Sequence, residues 1–451
     1  MVLSADRLCV GGSCGERDNM TKGNQGNHAI GACAEAPLHT VAQGGVTSPR
    51  GFRAAGVHAG FRKNPQRLDM AFVAADATAS CAAVFTTNRF CAAPVQVSRQ
   101  NLGGADKGYG LVQGIVINSG NANAATGERG RAVARETCEI AASALGCERE
   151  QVLVASTGVI GQVLGIEPFE EGVPAAARAL STAGGADAAR AIMTTDTHPK
   201  ECALRYTSEA SPYAGCTFTV GGMCKGSGMI MPNMATMIAV ITTDAPVEPK
   251  ALHALLKRVA DATFNKVTVD SDSSTNDTCI MLASGAAAAD AAPIEEGSAA
   301  YGELLGAVRG VCETLARAIA ADGEGASRLV TVNVTGAATD ADADAAARAV
   351  AGSPLVKTAI AGRDCNWGRI AMALGKCGAA FNQEDVSIDI MGMPVCRSGL
   401  TVPFDEDEAL RRFEAPEIVI ACDLGAGACA TTVWTCDLTH DYVTINGDYR
   451  T

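Results

Sequence analysis

The chain has 451 residues, 47% hydrophobic and 19% charged, which is enough for a sizeable core and two or three domains and too apolar for a disordered chain. Its formal net charge of −13, with no basic run, argues against a nucleic-acid backbone as partner, and no apolar stretch reaches the roughly 18 residues of a membrane span. The 18 cysteines include no Cys-x-x-Cys and the 6 histidines no His-Glu-x-x-His, so free thiols in a reducing compartment are expected in place of disulfides or a metal centre.

Residues 1–43 are rich in Gly, Asn, Ser and Cys, lack hydrophobic periodicity and read as a disordered leader. From Gly51 the pattern becomes globular. Gly114-Ile-Val-Ile-Asn118 predicts a buried strand running into the Asn- and Gly-rich loop Ser119–Gly127, which fits a functional loop and a capped turn ahead of a helix over Arg129–Gly146 about equally. Val152-Leu-Val-Ala-Ser-Thr157-Gly158 joins a second strand to a small-residue turn.

The stretch from Lys225 to Asp244 reads KGSGMIMPNMATMIAVITTD. A glycine-rich turn gives way to Pro232 and Asn233, then to Met237-Ile-Ala-Val-Ile241, a short apolar run predicted to be a buried strand with Thr236 just before its entry. By pattern alone such a threonine hydrogen-bonds a nearby backbone group. Phosphate-loop readings fail, because the lysine precedes the second glycine and no Gly-x-Gly-x-x-Gly is present.

Helical spacing recurs over Lys250–Thr263 and over Ala299–Ala321, the second closing on Asp322-Gly-Glu324-Gly325. Between them Asn265–Thr278 carries Asp270, Asp272 and Asp277; a calcium loop fails there, since Thr275 stands where glycine is needed and Met281 where glutamate is. These acids are expected to fix strands and turns. Arg328–Thr335 alternates as a strand, Ala337–Val350 opens a helix and a C-terminal subdomain, and strands follow near Val386–Ile390, Glu417–Cys422 and Ala430–Cys436.

The string Lys-Gly-Ser-Gly-Met-Ile, one further residue, Pro-Asn-Met-Ala-Thr-Met and a strand ending Thr-Thr-Asp-Ala resembles the self-cleavage segment of the ornithine acetyltransferase family, the glutamate N-acetyltransferases of arginine biosynthesis. Gly56–Gly60, Ala83–Asn88 and Ala92–Val95 resemble the opening strands and hairpin of that family's α chain. Met193–Thr197, Asn265–Thr278, Val356–Ile360 and Asp364–Ile370 resemble further segments, so the likeness runs from about Gly51 to Thr451. Two positions depart from the family pattern: Ser271 stands where glycine is expected and Cys365 where proline is usual.

The resemblance implies an α/β fold of layered α/β/β/α architecture with a C-terminal α/β subdomain. It implies cleavage between Ala235 and Thr236, giving an α chain over 44–235 and a β chain over 236–451, of which 236–336 continues the main domain and 337–451 forms the subdomain. Thr236 becomes an N-terminal nucleophile whose freed α-amine, titrating near pH 8, can serve as its base. Thr157 and Gly158 map onto the oxyanion donors, and Thr194, Lys225, Thr236, Glu324, Asn446 and Thr451 onto substrate-binding positions. Lys225 suits a substrate carboxylate and Glu324 a cationic amine.

The implied reaction moves an acetyl group from N2-acetyl-L-ornithine to L-glutamate through acetyl-Thr236, with no metal and no cofactor; acetyl-CoA as a second donor stays open. The implied assembly pairs α and β chains, as α2β2. An N-terminal-nucleophile aminopeptidase or amidase of the same fold is the alternative, and a non-enzymatic binding protein, with its Ala235–Thr236 bond intact, is a further one. The family core begins near Gly44, so the leader implies import into an organelle, plastid (chloroplast) ahead of mitochondrion or cytoplasm.

Overall fold

The computed structural model describes residues 36–104, 107–231 and 237–448. Most of the expected leader lies outside them, as do Ala235, Thr236 and Thr451.

The first unit comprises β1 (His39–Thr40), β2 (Phe52–Val57), β3 (Met70–Phe85), α1 (Ala93–Asn101), β4 (Tyr109–Asn121), α2 (Gly127–Leu145), β5 (Val152–Val159), α3 (Glu167–Ala179), α4 (Gly185–Ala191), β6 (Lys200–Thr207), β7 (Thr217–Lys225), β8 (Ile238–Thr243), α5 (Pro249–Ala262), β9 (Thr278–Ala283) and α6 (Ala299–Ala321). Its strands are hydrogen-bonded in the order β1-β6-β7-β8-β9-β3-β4-β5, with β2 also on β3.

This continuous ladder makes two layers because β3 passes from one to the other. Ala71, Val73, Ala75, Ala79, Cys81, Ala83 and Phe85 all enter one inner core, facing Ile115 and Leu153 on one side and Val240 and Ile280 on the other. The alternate residues change company. Met70 and Phe72 pack beneath α2 and α3, whereas Ala82 and Val84 join the core covered by α5 and α6. Between the halves, Asp76–Thr78 are exposed and the register on β4 shifts, as at a β-bulge that bends its strand. The result is the expected α/β/β/α layering.

Two local expectations are revised. Ala92–Val95 is no hairpin: α1 begins at Ala93 with Pro94 in its first turn, where a missing N–H costs nothing and the fixed φ favours a helix. The fold also takes in His39 and Thr40, expected in the leader, which pair with Arg205 and Leu204 of β6.

The second unit contains β10 (Leu329–Ala337), α7 (Asp340–Ala351), α8 (Pro354–Ala361), α9 (Trp367–Gly375), β11 (Ser387–Ile390), β12 (Met393–Arg397), β13 (Leu400–Thr401), α10 (Glu406–Arg412), β14 (Glu417–Asp423), β15 (Cys429–Cys436) and α11 (His440–Asp448). Its sheet, in the order β13-β12-β11-β14-β10-β15, has its own core, and its first strand, β10, begins at Leu329 and ends at Ala337. After β15 the chain returns to the end of α6, where Thr439 Oγ1 donates to the Gly325 carbonyl at 2.6 Å. That return brings α11 to the functional cleft. The fifteen cysteines among the described residues are free thiols, most of them buried.

Candidate active site

A cavity of about 140 Å³ opens where β7 ends and β8 and β9 begin. Thr157 and Gly158 reach it from β5, Thr194 from the turn after α4, and Lys225 from the last position of β7. Met237 and Asp277 line it ahead of β8 and β9, Glu324 just past α6, and Tyr442 and Asn446 from α11. Thus six positions singled out in the sequence (Thr157, Gly158, Thr194, Lys225, Glu324 and Asn446) converge on one cleft from five stretches of chain.

Thr157 and Gly158, expected in a turn after the strand, lie within the edge strand β5 itself. Asn121 of β4 registers with both Thr157 and Val159, so β5 bulges there. Gly158 has φ +133°, and a Cβ on it would lie 2.6 Å from the Asn121 nitrogen, so only glycine fits. The bulge is braced from behind. Asn276 Nδ2 donates to the carbonyls of Ala122 (2.6 Å) and Ser156 (2.8 Å), tying both strand ends to the loop before β9.

The Asn-rich stretch at the end of β4 spends its side chains on nearby backbone. Asn118 Nδ2 donates to the Asn121 carbonyl at 2.9 Å, and Asn123 Nδ2 to the Gly130 carbonyl at 3.0 Å. The helix that follows, α2, starts at Gly127 without a side-chain cap, and Ala122 is the stretch's contribution to the cleft wall.

Beneath the cleft lies a buried charge network. Lys200 Nζ donates to Asp196 Oδ1 at 2.7 Å and to Asp322 Oδ2 at 2.5 Å, with the three side chains at most 4% exposed. Asp196 in turn accepts from the backbone N–H of Gly226 (2.7 Å) and of Thr194 (2.9 Å), which fixes the segments carrying Lys225 and Thr194. Burial would raise the Asp196 carboxyl, but the charges of Lys225 and Lys200 outweigh it and hold the group well below the usual carboxylate range.

Lys225 differs from Lys200. It is buried, yet no carboxylate among the described residues forms an ion pair with its ammonium. Burial pulls its pKa below the ordinary lysine value, opposed through space by Asp196, Glu324 and Asp277. Among the described residues it is thus a buried cation near carboxylates but in direct contact with none.

Glu324 is also buried, and its Oε2 accepts from Asn446 Nδ2 at 2.7 Å. Gly228 passes so close to this carboxylate that a Cβ there would overlap it. Asp270 accepts from two successive backbone N–H groups, Met229 (2.6 Å) and Ile230 (2.8 Å), and so shapes the chain just ahead of residues 232–236. Met229 is held there at φ +56°, and Ser271, where the family pattern has glycine, adopts φ +67°. The expectation of glycine at 271 therefore has a physical basis: the left-handed conformation is retained and serine bears its cost.

Sequence reasoning did not find the partnership of Asp196, Lys200 and Asp322. Two of its members are 122 residues apart, and β6 carries Glu201 and Arg205 besides Lys200, so nothing in its pattern marks that lysine as the buried one. Nor did it find Tyr442, whose hydroxyl reaches Asp270 Oδ2 at 3.4 Å.

A layered α/β/β/α protein whose strand ends gather a buried ammonium with no ion pair among the described residues, a buried carboxylate and a strand bulge around a small cleft is built as an enzyme for small charged molecules. The chain belongs to the ArgJ family, whose model matches residues 53–451. It is 49% identical to the arginine biosynthesis bifunctional protein ArgJ of Symbiobacterium thermophilum over 409 residues, 90% of this chain and 99% of that protein. The ArgJ protein of Thermosynechococcus vestitus is 45% identical over 423 residues, covering 90% and 98%. Among solved structures, an ornithine acetyltransferase from Mycobacterium tuberculosis, complexed with ornithine, is 38% identical and covers 44% of this chain and 100% of its own, with a TM-score of 0.39.

Proposed function

We propose that this member of the ArgJ family is an acetyltransferase that cleaves its own Ala235–Thr236 bond and then moves an acetyl group from N2-acetyl-L-ornithine to L-glutamate through acetyl-Thr236. The observation that carries the reading is buried Lys225, without an ion pair among the described residues, in one cleft with buried Glu324 and the Thr157–Gly158 bulge. A donor and an acceptor that both carry an α-carboxylate suit a fixed ammonium, and ornithine's amine suits a carboxylate.

In this reading Thr157 and Gly158 supply donors to the oxyanion, each worth roughly 3 to 4 kcal/mol in comparable acyl transfers. Thr194, Lys225, Glu324, Asn446 and Thr451 hold substrate, and the freed amine of Thr236 activates its own hydroxyl. The exchange uses no cofactor. Because the relatives are named bifunctional, acetyl-CoA is included as a second acetyl donor.

The topology supports a product in which both chains stay together. Strands β8 and β9, which follow the cleavage point, lie between β7 and β3, which precede it. Separation of an α chain from a β chain would break two ladders inside the sheet. We extend the proposal to an α2β2 assembly, tested by native mass.

Intact mass spectrometry of the purified protein tests the core of the reading. Two polypeptides splitting between Ala235 and Thr236, lost in Thr236→Ala, together with N-acetylglutamate formed from N-acetylornithine and glutamate, are expected. A single uncleaved chain from a folded, active sample would overturn it, and peptide hydrolysis without acetylglutamate would point to an aminopeptidase.

A further inference from the structure

Thr194 lines the cleft from a segment that is neither helix nor strand, since α4 ends at Ala191 and β6 begins at Lys200. Backbone in such a segment has no ladder to hold it, and its polar groups turn to side chains. Two of those side chains come from far back in the chain. Arg62 Nη2 donates to the Met193 carbonyl at 2.8 Å, and Arg67 Nη2 donates to the Thr194 carbonyl. The Thr194 N–H donates in turn to Asp196 Oδ2 at 2.9 Å.

These bonds hold both peptide planes that flank the Thr194 Cα. The Met193–Thr194 plane is gripped at each end, its carbonyl by Arg62 and its N–H by Asp196, and the Thr194–Thr195 plane is gripped at its carbonyl by Arg67. Because a peptide is planar, fixing both planes fixes φ and ψ of Thr194 and the direction of its Cβ. The hydroxyl then has only χ1 to choose. Among the described residues the hydrogen bonds of Thr194 are made by its backbone, which leaves that hydroxyl to the cleft.

The arginines are themselves placed by an ordered loop. Asp69, fully buried just ahead of β3, accepts from the backbone N–H of Ala59 (2.6 Å) and of Arg62 (2.9 Å), and His58 Nδ1 lies 3.2 Å from its Oδ2. Asn64 turns the loop back: its side chain accepts from Gln66 N–H at 3.0 Å and its carbonyl from Arg67 N–H at 3.1 Å. Arg62 Nε also reaches Ser119 Oγ at 3.4 Å, and that hydroxyl donates to the Ala191 carbonyl at 2.7 Å, so the end of α4 is fastened to the same loop. A guanidinium suits this task because its N–H groups lie fixed in one plane.

We infer that Arg62 and Arg67 are positioning residues for substrate binding, acting through Thr194. The inference rests on the substrate role proposed above for that threonine. Neither arginine lines the cleft; each sets the backbone of a residue that does, from 131 and 127 residues away in the chain. A hydroxyl that holds the substrate alike in the ground and transition states changes KM when misplaced and spares kcat.

Arg67 gives the cleaner test, because its side chain is exposed and exposed substitutions seldom alter stability. Steady-state kinetics with N-acetylornithine and glutamate, together with melting curves, are run on the full-length protein. Arg67→Ala is expected to raise KM about 3- to 10-fold, the effect of one hydrogen bond, with kcat within about twofold of wild type. Its melting temperature stays within about 2 °C. Arg67→Lys, which keeps a donor, recovers most of the loss, and Lys63→Ala, exposed on the same loop and outside these bonds, behaves as wild type. Thr194→Val raises KM by itself, and adding Arg67→Ala to it costs less than about twofold more. Wild-type KM in Arg67→Ala overturns the inference. So does a loss of the same size in both backgrounds, or one that falls on kcat alone, either of which would make the arginine a general structural support. Wild-type KM in Thr194→Val removes the role of that threonine and the inference with it, leaving self-cleavage and acetyl transfer standing. A wild type that forms no N-acetylglutamate removes the reading itself, and the inference falls with it.

Discussion

Replacing Lys200 by methionine tests whether the network beneath the cleft supports the whole site. Lys200 Nζ lies 2.7 Å from Asp196 Oδ1 and 2.5 Å from Asp322 Oδ2 in a place that water does not reach. Removing one partner from a buried ion pair strands charge and costs about 3 to 5 kcal/mol, against at most about 1 for a surface pair. Lys225 still acts on Asp196, so the lower end, about 3 kcal/mol, is expected. Urea unfolding of wild type and Lys200→Met at several pH values measures it. In the wild type the Asp196 pKa is depressed, so its contribution is present above the ordinary value near 4 and is lost only as the pH falls through the lower, folded value. In the variant the stranded Asp196 carboxylate takes up a proton as the pH falls. The deficit is therefore largest at pH 7 and narrows toward pH 4. A loss below about 1 kcal/mol, or a deficit that ignores pH, would refute the reasoning.

Lys225→Met is expected to raise KM for carboxylate-bearing substrates by about 10- to 100-fold, the worth of one charge-assisted hydrogen bond, as steady-state kinetics would show. The same variant keeps its stability at pH 7 and lacks the wild-type gain as the pH climbs from the lowered folded pKa of Lys225 toward the unfolded one, visible in melting curves. Gly228→Ala drives a Cβ into the Glu324 carboxylate and breaks its bond from Asn446; ornithine-side KM rises in kinetic assays, with little change in melting temperature. Ser271→Gly relieves a left-handed serine at about 1 to 2 kcal/mol and adds about 0.5 to 1 of chain entropy, so denaturant titration should find up to about 1 kcal/mol of stabilisation.

What the sequence made legible follows from range. The spacing of apolar residues over Ala299–Ala321 marks α6 because a helix repeats its signal over several turns, and α5 is read from Lys250–Thr263 to within a residue for the same reason. Short apolar pieces with proline carry no such signal, and α1 was misread. The doubling of β3 is hidden for a different reason: its inner positions are mostly alanines, which show no contrast with their neighbours, and its change of layer rests on a bulge at Asp76–Thr78. Six cleft positions were legible because a resemblance supplied them. The pairing of Asp196 and Asp322 through Lys200 was not, since nothing local in a chain announces which distant carboxylate will share a buried cation.

The placement of the cleft explains how a cut beside the site can leave the site intact. Before the cut stand Thr157, Gly158, Thr194 and Lys225; after it stand Met237, Asp277, Glu324 and Asn446. The two sets meet across β8, where Ile238 is registered on Lys225 of β7 and on Thr278 of β9. On the proposed cleavage, a folded inner sheet is expected before the cut. Once seated, β8 is held by six registered pairs on each side, and none of them involves the segment 232–236. The proposed cut therefore leaves every ladder pair of β8 among the described residues in place, and the inner sheet supplies the rigidity that the proposed chemistry asks for.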